Sequence, residues 1–182
     1  ADAPHAGDAP PLERVERRLE RLHRVHAGRE HRLDRGAMQR RVDPAGGEKL
    51  PPDPSTVAPP VDPTVATTTF AATEFLYTGT DPIQTGVTPG TIDPKRAAVL
   101  RGRVLDKQNN PLPGVTLTVL NHPEFGQTLS RADGWFDLVV NGGGYLTLSY
   151  QKAGYLPAQR QANVPWQDYV LMDDVVLIAL DS

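Results

Sequence analysis

From about Ala97 to Leu180, apolar and polar residues alternate with a period of two, and turn formers interrupt the alternation at short intervals. The clearest stretch runs from Gly102 to Asp137. It contains Gly102-Arg-Val-Leu-Asp106, a polar turn at Lys107 to Asn110, a Pro-Leu-Pro-Gly bend at 111–114, Val115-Thr-Leu-Thr-Val119, and Asp133-Gly134 leading into Trp135-Phe-Asp137. Alternation bounded by such residues marks half-buried strands of an antiparallel sheet. Candidate strands span 97–105, 115–120, 127–130, 135–140, 145–151, 158–164 and 175–180, with 165–174 read as the last separator. Seven short strands at roughly ten-residue spacing predict an all-β fold, a seven-stranded Greek-key β-sandwich. Val104, Val115, Leu117, Phe136, Leu138 and Leu148 are among the positions expected to face inward. They make a thin core, since a small domain buries only part of its surface.

The first half of the chain follows other rules. Residues 1–42 are charged, lack Phe, Trp and Tyr, and hold four of the five His. Such a segment cannot bury enough apolar surface to offset the entropy of ordering, so it is expected to be mostly disordered. Leu12, Val15, Leu19, Leu22 and Val25 recur every three or four residues and predict one short amphipathic helix at 11–26. Residues 43–94 are rich in Pro and Thr; Pro51, Pro52, Pro54, Pro59, Pro60 and Pro63 predict an extended linker. Within it, Phe70-Ala-Ala-Thr-Glu-Phe-Leu-Tyr77 is apolar enough to dock on a neighbour. The sandwich itself is assigned to 95–182.

Bulk numbers narrow the function. A formal net charge of -3 disfavours nucleic acid as a partner, because phosphate neutralisation needs surplus Lys and Arg. With no Cys, neither disulfides nor Cys-ligated zinc are available. No apolar run reaches the ~20 residues of a transmembrane helix.

Candidate chemistry is sparse. His23 and His26 with Glu30 and His31, and separately His122 with Glu124, have the residue types of a zinc site but read more simply as a solvated helix face and a turn. Asp133, Asp137, Asp168, Asp173 and Asp174 are read as loop carboxylates, a residue type that calcium favours. Asp133-Gly134 alone is explained by a hairpin turn. Ser130 and Ser149 lack a matching His and acid, and Asn141-Gly-Gly-Gly144 is followed by no Lys-Ser/Thr. No catalytic residue, metal ligand or cofactor site is therefore assigned. Aromatic residues beside turns are the best binding candidates, because they stack on sugars or anchor proteins. These are Trp166 and Tyr169 first, then Trp135 and Tyr155, the latter two also suited to capping the ends of the core.

Two resemblances add to this. Gly102-Arg-Val-Leu-Asp106, Pro111 to Val119, Ala132-Asp-Gly-Trp-Phe-Asp-Leu138, Gly144-Tyr-Leu-Thr-Leu148 and Gly154-Tyr155 together resemble a carboxypeptidase regulatory-like domain, over about 98–180. The resemblance implies a transthyretin-like (prealbumin-like) seven-stranded sandwich. Phe75-Leu-Tyr-Thr-Gly79, Pro82 to Val87, Arg96 to Leu105, His122 to Gln127, Pro157 to Gln161 and Val164 to Tyr169 resemble the region that precedes the repeats of bacterial RHS/YD-repeat proteins. That implies a non-enzymatic accessory module of a large, secreted or surface-exposed bacterial protein, with the adjoining domains of the same polypeptide as partners. The alternatives are a module that binds a glycan, a peptide or another protein, and a regulatory domain of a zinc carboxypeptidase.

Overall fold

The computed structural model describes residues 49–181. The helix expected at 11–26, the segment 1–42 and the residues His23, His26, Glu30 and His31 lie outside the described residues.

Where the alternation is strongest the chain forms strands. They are β1 (Gln84–Thr85), β2 (Ala97–Leu105), β3 (Thr116–Val119), β4 (Gln127–Leu129), β5 (Trp135–Asn141), β6 (Gly144–Gln151), β7 (Ala158–Val164), β8 (Tyr169–Leu171) and β9 (Val175–Val176). They build two sheets, one ordered β1-β4-β3-β6-β7 and the other β5-β2-β8, with β9 also paired to β2. The result is the expected all-β sandwich, with two short strands, β1 and β8, added to those read from the sequence. Most pairs are antiparallel, but β8 and β9 run parallel to β2.

The core lies between the sheets. Leu117 and Val119 of β3 stand opposite Tyr150 and Leu148 of β6, and all four are buried. On the second sheet, Leu100 pairs with Leu138 and Gly102 with Phe136. The Phe136 and Tyr150 rings bridge the layers edge-to-face, with centroids 5.8 Å apart at 80°. Each fully buried Leu or Phe contributes about 1.5–3 kcal/mol through loss of contact with water.

The second sheet is also covered on its outer side, which explains the unbroken apolar run Ala97-Ala-Val-Leu100, buried throughout. Strands covered on both faces lose their alternation. The cover comes from a segment expected to be extended. Asp53 accepts a hydrogen bond from Ser55 N and starts a short helix α1 (Pro54–Val57), with Pro54 at its first position. Thr68 caps helix α2 (Thr69–Thr73), and a 3-10 turn follows at Glu74–Leu76. Leu76 is buried in the core cluster, and Phe70, Phe75 and Tyr77 pack against it. Ile83 and Ile92 are core residues too. The packed unit thus takes in residues N-terminal to Lys95, because local caps and apolar side chains overcame the prolines.

Gln84 locks the two sheets together at one edge. Its side chain is fully buried. The amide nitrogen donates to Phe125 O at 2.7 Å and Val139 O at 2.9 Å, and its oxygen accepts from Val139 N at 2.7 Å. One side chain therefore fills a ladder position beside β5, whose backbone would otherwise be left unpaired.

Candidate interaction surface

Strand register puts two of the four aromatic candidates on one face. Arg103 stands opposite Trp135 and Arg101 opposite Asp137 on the outer side of the β2–β5 pair. Tyr169 pairs with Val99 in β8, and its ring lies 5.8 Å from the Arg101 guanidinium carbon. This is a cation–π contact. Burial pushes the Tyr169 phenol up to about 12, against the pull of Arg101.

Asp137 is the centre of this face, and the structure corrects its reading as a loop carboxylate. It lies mid-strand with a fully buried side chain. Arg101 Nε donates to Asp137 Oδ1 at 2.5 Å and Arg131 Nη1 donates to Oδ2 at 2.5 Å. Arg131 is itself buried, with Nε 3.6 Å from Asp133 Oδ1. Burial pulls the Arg101 guanidinium down, but Asp137 more than offsets this and leaves it above its ordinary value. Two guanidinium groups on both carboxylate oxygens satisfy a buried charge. The cluster is an architectural clamp, with both oxygens taken and no open face for a reacting group.

The other two candidates stand elsewhere. Trp166 is 59% exposed and lies against Gly143, where an added Cβ would come within 2.3 Å of its indole nitrogen. Gly143 has φ 111° and so admits no ordinary side chain. Tyr155 packs against the core beside the turn after β6 and bridges Ala179. Trp166 thus rests on Gly143, and Tyr169 on Arg101.

Sequence reasoning missed an exposed apolar row among the described residues. Val175 and Leu177 point into the core, which turns Val176, Ile178 and Leu180 outward. Backbone bonds join this stretch to the turn at 154–156, with Leu156 N donating to Ile178 O and Leu180 N to Gly154 O, each at 2.8 Å. Leu156 adds to the row, and Leu171 stands on the same side of β2, opposite Arg101 where Val176 is opposite Leu105, so five aliphatic side chains stand 41–56% exposed. The signal was present as Val-Val-Leu-Ile-Ala-Leu at 175–180, six apolar residues where one face is already enough for the core; of the strand expected there only Val175–Val176 forms, and Ala179 makes an isolated bridge.

Two polar residues acquire structural roles. Ser130 Oγ donates to Leu112 O at 2.7 Å and accepts from Val115 N at 2.8 Å, pinning the Pro-Leu-Pro-Gly bend. His122 Nδ1 lies 2.9 Å from Glu124 Oε1 and stacks on Phe125. That hydrogen bond holds the Glu124 carboxyl below its ordinary value.

The profile of the Teneurin TTR-like domain matches residues 92–177. Teneurin-m of Drosophila melanogaster is 45% identical over 87 residues, 48% of this chain and 3% of the relative. Teneurin-1 of Gallus gallus is 39% identical over 100 residues, 54% of this chain and 4% of the relative. The sandwich is thus a transthyretin-like one, and it corresponds to a small part of much longer proteins. The teneurin relatives are animal proteins, so the bacterial RHS-type setting and the carboxypeptidase-regulatory assignment expected from the sequence find no support. Among solved structures, a 3-chlorocatechol 1,2-dioxygenase from Rhodococcus opacus 1CP reaches a TM-score of 0.40 at 14% identity, covering 53% of this chain and 64% of that one. That is too distant to bear on activity.

Proposed function

We infer that this transthyretin-like sandwich is a non-catalytic structural module of a longer polypeptide, held against an adjoining domain through the aliphatic row of Leu156, Leu171, Val176, Ile178 and Leu180. The row carries the reading. Contiguous exposed apolar side chains cost solubility and mark contact sites. Its flank holds Arg103 and Trp135, residue types enriched where interfaces are tightest. The relatives support the setting, since the matched stretch is 3% of Teneurin-m. A secreted or surface-exposed location follows from the same reading, and biotinylation of intact cells expressing the parent protein tests it.

Docking is tested by titrating the 182-residue chain with the segments that flank it in its parent polypeptide. Linkage supplies millimolar effective concentration, so binding in trans is expected to be weak and must be read at high concentration. Ile178→Asp should weaken it by about tenfold or more. A wild-type chain that ignores every flanking segment would remove the proposal.

A further inference from the structure

Asn-Gly occurs once in the chain, at Asn141-Gly142, where β5 ends and the turn to β6 begins. Each residue of the pair has its own structural reason. Asn141 clasps the segment that leads into β2. Its Oδ1 accepts from Asp93 N and its Nδ2 donates to Thr91 O, each at 2.8 Å. Ile92, between these two partners, is a core residue. Gly142 is buried, and a Cβ there would come within 2.2 Å of Pro165 O, so no larger residue fits. Its N donates to Arg96 O at 2.7 Å, and its O accepts from Arg96 Nε at 3.0 Å and Nη2 at 2.9 Å. Two separate constraints thus produce a chemically labile dipeptide. A glycine N, with no Cβ to shield it, readily reaches the side chain of a preceding Asn.

We propose that Asn141 is a deamidation site, shut while residues 91–96 are docked and reactive once that segment lifts. In the reaction Gly142 N gives up its proton and bonds to Asn141 Cγ. The bond from Cγ to Nδ2 breaks, and Nδ2 leaves with that proton as ammonia. Water then opens the resulting five-membered imide at one of its two carbonyls, leaving Asp or its isoaspartyl isomer at 141. The docked segment blocks the first step at both ends. Gly142 N is committed to Arg96 O, and both polar side-chain atoms of Asn141 are held by Asp93 and Thr91. Pairing with Ala97 also fixes Asn141 in the extended backbone, which must rotate before the ring can close. The product does not restore the clasp. An ionised carboxylate only accepts, so Thr91 O loses its donor. The new charge also stands against Asp93. The isoaspartyl form adds a backbone carbon where Asn141 pairs with Ala97. Release of the segment thereby becomes one-way.

The test incubates the full 182-residue chain at mildly alkaline pH, native and in urea, and digests it with trypsin. Mass spectrometry of the 132–152 peptide, in which Asn141 is the sole Asn, follows the gain of one mass unit. The native chain should react at least tenfold more slowly than the unfolded one, because reaction waits on local opening. Arg96→Ala, on an exposed side chain, removes both bonds from that side chain to Gly142 O. It should speed the native reaction several-fold and leave the circular dichroism spectrum unchanged. Asp133→Ala, which loosens a turn elsewhere, should not speed it. Asn141→Asp, one of the two products, should speed tryptic cleavage after the exposed Lys95 several-fold. Equal rates in native and unfolded chains overturn the proposal, as does an Arg96→Ala chain no faster than wild type. An Asp133→Ala chain as fast as Arg96→Ala also overturns it, since global unfolding rather than the clasp would then gate the site. Cleavage of Asn141→Asp at the wild-type rate would remove the one-way release.

Discussion

A carboxylate in the middle of a strand is tolerated here because both of its oxygens are taken. Asp137 has no exposure, Arg131 very little and Arg101 a quarter. Removing the acid leaves two guanidinium groups facing each other, one of them buried. Asp137→Ala is therefore expected to cost about 3–5 kcal/mol, the range seen when one partner of a buried ion pair is deleted. Asp133→Ala removes an acceptor for Trp135 N in the adjacent turn and should cost about 1 kcal/mol. Urea denaturation of both variants decides the matter, and equal small losses would mean that the cluster is not a clamp. The clamp was illegible in the sequence for a physical reason. Alternation shows that Asp137 turns away from the core, but not that Arg131 and Arg101, six and thirty-six positions earlier, close over it. Gln84 and Ser130 were hidden in the same way, since their partners are backbone groups distant in the chain.

Elements were legible in proportion to their length and pattern. The strands from β2 to β7 fall on turn-bounded stretches read as strands, β2 despite its unbroken apolar run, whereas β1 and β8 lie within segments read as linker and separator and have only two and three residues. The edge strand β7 shows what alternation adds beyond location. Ala158, Arg160 and Ala162 stand opposite Tyr150, Leu148 and Leu146, so Arg160 points toward the interior side at an open edge. Its charge reaches the buried Tyr150 phenol, which burial itself pushes above its ordinary value. An inward-pointing charge on an exposed edge discourages another strand from adding to it, as do the prolines that bracket this strand at Pro157 and Pro165. Arg160→Val should leave the fold intact by circular dichroism and shorten the lag of heat-induced aggregation by several-fold. Unchanged light-scattering kinetics would show that the edge is protected by something else.

At the level of the whole molecule, the matched stretch and the folded body do not coincide. The profile match begins at residue 92, yet Leu76 and Ile83 belong to the core and Gln84 supplies both a donor and an acceptor to Val139. Val99 and Val139 are fully buried although they point out of the sandwich, because the chain between Thr69 and Tyr77 lies over them. Cutting before residue 92 removes β1, uncovers that outer face and leaves the Val139 amide unpaired. Each large apolar loss costs about 2–5 kcal/mol, and a domain has only about 5–15 kcal/mol in total. Residues 92–182 alone should therefore lack the near-ultraviolet dichroism of fixed aromatic side chains, while 49–182 should unfold in one cooperative step. Adding a peptide of residues 49–91 in trans should restore the signal, since the missing contacts are side-chain and ladder contacts that need no covalent link. A 92–182 fragment with the same denaturation midpoint as 49–182 would mean that the leading segment decorates the sandwich rather than completing it.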